Sequence, residues 1–358
     1  SKAYLLGEMA LERLFLRPES FYEEQNIRLR LGQPVLSVDP TEKTVTIEKD
    51  TISYDQLVLT TGSSPRRLPA AIGGDLDNVF VVRTLADVDA MANSVAKGAR
   101  ALIVGGGYIG LEAAAVARKR GVEVTLVEMA DRILQRVASP NTSDFFRSLH
   151  SGQGVDIREG VGLDHLTGKD GRVSGAELTD GSSLSLDFVV VGVGIVPETG
   201  LAEQAGLVLN NGIEVDGFGR TSDSSIWAAG DCACFPHGDS RLRLESVPNA
   251  IDQAECVAQN LLGAEKTYVP QPWFWSDQYD VKLQIAGLNT GYDQIVERQG
   301  DNGAVSFWYY CGDTLLAVDA MNDPRAYMIG KRLIDGGKSP SPEVIADPET
   351  DMKALLRA

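Results

Sequence analysis

The feature that most narrows the fold of this chain is the run ALIVGGGYIGLEAAAVARKRGVEVTLVEMADRI, from Ala101 to Ile133. An apolar strand, ALIV, meets Gly105-x-Gly107-x-x-Gly110, which opens an Ala-rich helix. In that context each glycine has its own task. Gly105 permits a tight turn, Gly107 lets the backbone approach a pyrophosphate, and Gly110 lets helix and strand pack closely. The helix start supplies amide donors and a partial positive charge for phosphates. A second strand, VEVTLVE, ends on Glu128, where such a unit carries an acid for a ribose. A glycine-rich helix cap, the plainer alternative, leaves that acid unexplained. The run predicts a dinucleotide-binding unit.

Glu128 bears on the choice of nucleotide. A carboxylate accepts both ribose hydroxyls of NAD and repels a 2′-phosphate, so NADH is favoured, with Arg132 nearby as the residue that would suit NADPH. Glu112 is expected in the first turn of the helix, either compensating the dipole or reaching the nicotinamide end.

The chain has 358 residues, which predicts two or three domains. Its formal net charge of -17 argues against binding nucleic acid through phosphates. No run of about 18 apolar residues appears, so no membrane span is expected. Cys232, Cys234, Cys256 and Cys311 have neither C-x-x-C nor zinc spacing, which fits a cytoplasmic protein without a metal site.

Along the chain, the front is mixed, with short strands in KTVTIEKDTISYDQLVLTTG. Residues 98–220 alternate strand and helix, as a parallel sheet does. From about Tyr268 the strands KLQIAGL, DQIVERQ, AVSFWYYCG and TLLAVDAM are separated by turn residues and predict an antiparallel sheet. The helix in DPRAYMIGKRLIDGG should stop at Gly336-Gly337. SVPNAIDQAECVAQNLLG reads as a further helix.

Two stretches are odd in a simple dehydrogenase. YDQLVLTTGSSP is a strand ending on Thr61-Gly62, and IWAAGDCA is a strand ending on Gly230-Asp231. Flanking one dinucleotide unit, they resemble flavoprotein reductases with two dinucleotide domains. With SKAYL, GGGYIGLE, ESVPNAIDQA and PWFWSDQYDVKLQIAGL, the chain is similar to the FAD-dependent NADH:ferredoxin reductases of bacterial oxygenase and P450 systems. The resemblance runs over nearly the whole chain.

It implies an α/β fold with two Rossmann-like domains and a C-terminal α+β domain with an antiparallel sheet. The FAD-binding domain would comprise residues 1–97 and 221–267, the NAD-binding domain 98–220, and an interface domain 268–358. That family begins with a further βαβ segment for FAD. SKAYL here stands at the start, so roughly fifty residues of that segment are expected to be missing.

By resemblance, Lys2, Thr61, Gly62, Gly230, Asp231, Val247 and Trp275 line the FAD site, with Arg136 beside them. Gly105, Gly107, Tyr108, Ile109, Gly110, Glu112, Glu128 and Gly194 line the NAD site. Tyr108 either covers the nicotinamide face of the flavin or is core. Lys2, Glu112 and Tyr108 are the expected catalytic residues, with Lys2 and Glu112 a charge pair. The resemblance implies that hydride passes from NADH to FAD mainly by positioning, and that single electrons then go to an acidic [2Fe–2S] ferredoxin. That partner is expected to dock near Arg243, Trp275, Lys282, Lys331 and Arg332. Trp273 and Trp275, two residues apart on an extended segment, should share a face.

Two alternatives stand beside this reading. One is a disulfide or peroxide reductase of the same superfamily, disfavoured because His150, His165 and His237 all lie outside the C-terminal strands. The other is a non-catalytic nucleotide-binding signalling protein of the apoptosis-inducing-factor type.

Overall fold

The computed structural model describes residues 2–48 and 50–357. The chain forms two compact units. The first comprises Ser1–Glu8, Pro65–Ile195 and Trp273–Ala358, and the second Met9–Ser64 and Val196–Pro272.

In the first unit, a five-stranded parallel sheet runs in the order Val79–Phe80, Phe188–Val191, Arg100–Val104, Glu123–Glu128, Asp156–Glu159. Its central strands, ALIV and FVVV, read as unbroken apolar runs because both of their faces are covered. Ala101, Ile103 and Leu126 face a core shared with Leu111, Ala114 and Ala117 of the helix Tyr108–Lys119 and with Phe146. Leu102, Val104 and Val127 face the opposite way, onto Leu166, Val173 and Leu178.

Those last residues belong to an antiparallel excursion, Leu163–Lys169, Arg172–Leu178 and Ser183–Ser185, that the expected strand–helix alternation omits. Its turns are Asp170-Gly171 and Asp180-Gly181. Asp170 and Gly171 both lie at positive φ (54° and 80°), as the favoured hairpin turn demands.

The C-terminal sheet is antiparallel, in the order Trp273–Gln278, Val281–Gly287, Thr314–Met321, Val305–Cys311, Gln294–Gln299. The helix Pro324–Asp335 covers one face, capped by the Asp323 carboxylate on the Ala326 amide at 2.8 Å and ending at Gly336. The other face joins the nucleotide core through Leu283, Val305, Phe307, Tyr309 and Met321.

That shared core corrects the expected boundaries. Residues 268–358 close a core of their own, with Trp308, Tyr310, Leu333 and Ile345 between the sheet and its helices, and share a second core with the parallel sheet, so the two form one unit. The sheet begins before residue 98, because Val79–Phe80 is its edge strand. Residues 196–220 belong to the second unit, where Leu209–Asn210 and Gly212–Glu214 join Ala233–His237 and Ser240–Leu242. That unit also holds the parallel pair Leu57–Leu59 and Ile226–Ala228, the meander Val35–Asp39, Thr44–Ile47, Asp50–Ser53, and the helix Val247–Leu261.

One buried acid ties the C-terminal sheet to the helix Pro140–Gly152. Asp319, 1% exposed, accepts hydrogen bonds from Thr142 Oγ1 at 2.7 Å and from the Tyr309 hydroxyl. Burial pushes it up from 3.8 to about 6, against the pull of those two hydroxyls. The folded chain therefore holds this proton more tightly than the unfolded chain between those values. The resulting stability is present at low pH and is lost as pH rises through about 4 to 6, on the order of 3 kcal/mol. Asp319→Asn should lack this term. The melting temperature of the variant minus that of the wild type is expected to rise between about pH 4 and about pH 6 and to level off above it. A constant difference would show that the acid is ionised throughout.

Candidate functional site

The phosphate turn is built by exclusion of side chains. A Cβ on Gly105, at φ 105°, would lie 2.5 Å from the Gly192 carbonyl oxygen. One on Gly110 would lie 2.0 Å from the Gly105 carbonyl oxygen. Around Gly107 a Cβ would meet nothing within 4 Å, and this residue caps the helix Tyr108–Lys119 without a side-chain bond. The amides of Tyr108–Gly110, at the start of a 12-residue helix, have no backbone acceptor among the described residues, and such a start can receive a phosphate.

Glu128 has a structural task besides any ribose contact. Its two oxygens accept from the amides of Gly106 at 2.7 Å and Ala130 at 2.8 Å. The following loop is pinned to the same turn, with the Leu134 amide donating to the Gly106 carbonyl at 3.0 Å. Leu134 is buried at φ 56°, a region that a bulky residue enters only when its surroundings hold it there. Arg132 is turned away into this loop, donating to the carbonyls of Ala138 at 2.8 Å and Ser139 at 3.2 Å and to Ser143 Oγ.

Glu112 does not lie in the first turn of its helix as expected, since the helix starts at Tyr108 and its first turn holds no acid. One turn further in, it meets Lys2 Nζ at 2.6 Å. Lys2 also donates to the Asp277 carbonyl at 2.8 Å, and Ser276 Oγ donates to Glu112 at 2.7 Å. Tyr108 sits half-buried against Phe274, with ring centroids 5.0 Å apart. Its hydroxyl is buried without a partner among the described residues, and burial pushes the phenol well above its ordinary value. Ile109 beside it is 46% exposed. A cavity of about 190 Å³ lies next to the pair, lined by Lys2, Ile109, Glu112, Val82 and Phe188 among others.

The strand Trp273–Gln278 separates two faces. Trp273 and Trp275 stack at 5.5 Å, while Phe274 and Ser276 turn to the nucleotide helix. Arg136, expected at the flavin, is exposed and lies 3.7 Å from where a Cβ on Gly194 would sit. The residue expected beside FAD and the one expected beside NAD are thus neighbours in the first unit.

In the second unit, Gly62 and Gly230-Asp231 follow the ends of the paired strands Leu57–Leu59 and Ile226–Ala228. Thr61 Oγ1 donates to the Glu198 carbonyl at 2.5 Å, and Ser63 Oγ donates to Asp231 at 2.8 Å. The Gly230 amide donates to Gln253 Oε1 at 2.9 Å, and Gln253 Nε2 is buried without a partner among the described residues. Val247, 61% exposed, starts the helix Val247–Leu261. This polar turn with a spare buried donor fits a pyrophosphate-bearing cofactor.

The expected docking residues divide. Lys282 and Arg332 are exposed, and Lys331 pairs with Asp335 on its own helix at 2.6 Å. Arg243 is not a surface residue. Its side chain is 7% exposed, donates to the Asp231 carbonyl at 2.9 Å and pairs with Glu245 at 2.6 Å. An arginine outside any patterned segment reads as surface in sequence, but here the Asp231 carbonyl and Glu245 hold its guanidinium inside. Arg243→Glu is therefore expected to slow turnover with ferredoxin and with ferricyanide alike and to lower the melting temperature, since it buries an unpaired charge beside Glu245. Loss confined to the ferredoxin assay would return Arg243 to the surface.

A glycine turn, a helix start without a side-chain cap and, one turn on, Glu112 holding Lys2 from another segment mark a nucleotide-binding unit. Residues 2–254 match the pyridine nucleotide-disulphide oxidoreductase family and residues 273–356 the reductase C-terminal family, and the chain belongs to these oxidoreductases. It is 43% identical over 99% of its length to a ferredoxin–NAD(P)+ reductase of a Sphingomonas species, covering 87% of that protein. It is 40% identical over 99% of its length to rhodocoxin reductase of Rhodococcus erythropolis, covering 84%. The covalent putidaredoxin reductase–putidaredoxin complex superposes with a TM-score of 0.95 at 38% identity, over 99% of this chain and 87% of that one.

Ser276, Gln278, Gln253 and Asp319 escaped the reading of the sequence, and His150 entered it only as a histidine outside the C-terminal strands. The alternation in WFWSDQ was the available signal for Ser276 and Gln278, since both share the parity of Phe274.

Proposed function

We propose that the protein takes hydride from NADH onto FAD and passes single electrons to a [2Fe–2S] ferredoxin serving a P450 or Rieske oxygenase. FAD, when bound, supplies the conversion of a two-electron donor into one-electron steps. One observation carries the reading. The helix Tyr108–Lys119 leaves the amides of Tyr108–Gly110 without backbone acceptors among the described residues and, one turn on, carries Glu112, which holds Lys2. Phosphate anchoring and a charge for the reacting end of the nicotinamide thus sit on one rigid element, which serves a reaction that depends on positioning.

The residues assigned to FAD by the resemblance are Lys2, Thr61, Gly62, Gly230, Asp231, Val247 and Trp275. Those assigned to NAD are Gly105, Gly107, Tyr108, Ile109, Gly110, Glu112, Glu128 and Gly194. NADH is favoured over NADPH because Glu128 is a carboxylate and Arg132 is committed to carbonyls. Trp275, Lys282 and Arg332 remain the docking residues we assign to the ferredoxin. Four free cysteines suit a reducing cytoplasm. No helix of the described residues is long and apolar enough to cross a membrane.

A disulfide reductase reading finds no support in the thiols described. Cys232 is buried with its sulfur against the carbonyls of Leu59 and Ala229, and burial raises Cys234 and Cys256. The experiment is a flavin absorbance spectrum followed anaerobically on adding NADH, then cytochrome c reduction with and without ferredoxin. Bleaching and strict dependence on ferredoxin are expected. Slow bleaching with a persistent charge-transfer band and no ferredoxin-dependent turnover would instead favour a signalling protein.

A further inference from the structure

Behind Glu112 runs a line of buried polar groups that hydride transfer does not itself require. Ser276, Gln278 and His150 are each 0% exposed. Ser276 Oγ lies 2.7 Å from Glu112 Oε1, Gln278 Nε2 lies 3.0 Å from Ser276 Oγ, and His150 Nε2 lies 2.7 Å from Gln278 Oε1. The Tyr279 hydroxyl, 3.4 Å from His150 Nδ1, closes the line.

The direction of every bond follows from one charge. An ionised Glu112 only accepts, so Ser276 must donate to it. The serine oxygen then accepts from the Gln278 amide. The Gln278 carbonyl is left facing His150, whose Nε2 must carry the proton. His150 Nδ1 is then the acceptor for Tyr279. Burial holds the imidazole below its ordinary value, in keeping with a neutral ring. An amide in the middle of the line passes no proton without becoming an imidic acid, so the line is suited to orientation and not to proton relay.

We propose that Ser276, Gln278 and His150 are positioning residues that lock the Glu112 carboxylate, and through it Lys2, at the nicotinamide end of the site. The proposal rests on the roles assigned to Lys2 and Glu112 above. Without the serine, the carboxylate keeps only the flexible lysine as a partner on that oxygen. The long reach matters because His150 lies in the last turn of the helix Pro140–Gly152, which packs in the nucleotide core. The helix thereby fixes the strand residue that fixes the carboxylate.

The test combines kinetics with a spectrum that needs no NADH. In the FAD-loaded protein, Ser276→Ala should slow anaerobic flavin reduction about tenfold, the scale of a hydrogen bond to a charged group. The NADH dissociation constant should stay within about twofold, and Ser276→Thr should restore the rate. In a Glu112→Ala background, Ser276→Ala should change nothing further, because no carboxylate remains to be held. Nitrogen-15 spectra without NADH should show His150 as the neutral Nε2–H tautomer, and Gln278→Glu should convert it to imidazolium. Additive losses in the two backgrounds, a wild-type rate for Ser276→Ala, or an Nδ1–H tautomer would overturn the proposal. If Glu112→Ala itself reduces at the wild-type rate, the role of Glu112 falls and this proposal falls with it. If Glu112→Ala is slow and Ser276→Ala is not, only the positioning chain fails.

Discussion

Gly110→Ala is expected to damage the fold before any nucleotide is added. The new methyl would sit 2.0 Å from the Gly105 carbonyl oxygen, and that oxygen cannot retreat freely because Gly105 is itself wedged against Gly192. Backbone must move where two strands and a helix meet. A cost of about 3 kcal/mol is reasonable for such overpacking, which lowers the melting temperature by roughly 6–12 °C. NADH affinity should fall at least about tenfold with it, since the amides that meet the phosphates move too. Gly107→Ala supplies the contrast. Its methyl meets nothing within 4 Å, so it should melt like the wild type and lose only affinity. Differential scanning calorimetry with NADH titrations decides. Equal melting temperatures for the two variants would show that the turn is not close-packed.

Glu128→Arg is expected to have the second large effect, on the choice of nucleotide. The ratio of kcat/KM for NADH over NADPH should fall by about a hundredfold or more, as a carboxylate that repels the 2′-phosphate gives way to a cation that binds it. A second consequence follows from the two amides the carboxylate now holds, at 2.7 and 2.8 Å. Removing it leaves both without their acceptor, which costs about 1–3 kcal/mol if they stay dry. The switch should therefore come with a lower melting temperature. Glu128→Gln keeps an acceptor, loses the repulsion and should relax preference with a smaller loss of stability. Unchanged ratios in both variants would remove Glu128 from the ribose and leave it as an anchor of the turn.

The local patterns proved readable where one physical demand dominates. The three glycines, the apolar sheet strands, the C-terminal strands and the end of the last long helix each answer to sterics or periodicity within a few residues. The antiparallel excursion was signalled too, by two Asp-Gly pairs, but strand–helix alternation had already claimed that region. The unit boundaries were harder. An edge strand of two residues, Val79–Phe80, has no periodicity to detect, and a core shared between residues far apart leaves no local mark. Polar residues misled most. Arg243 looks like surface and is buried against Glu245, while Ser276 and Gln278 sit in a stretch whose tryptophans attract the attention. Burial of a polar side chain depends on its partner, and partners such as His150 and Gln278 lie 128 residues apart.

The assembly of the first unit from three chain segments has a consequence for how the protein is made. Its main core joins Ile103, Leu111 and Phe146 to Leu283, Phe307 and Met321. A ribosome that has delivered the parallel sheet has not yet delivered the strands that cover it. The nascent nucleotide region must wait, with apolar surface exposed, while the whole second unit and then the final strands emerge. Such late closure over long sequence separations is slow and invites aggregation. Chaperone dependence during synthesis, and collapse of the nucleotide region in chains that stop short of the last sheet, are the outcomes expected from this order of segments.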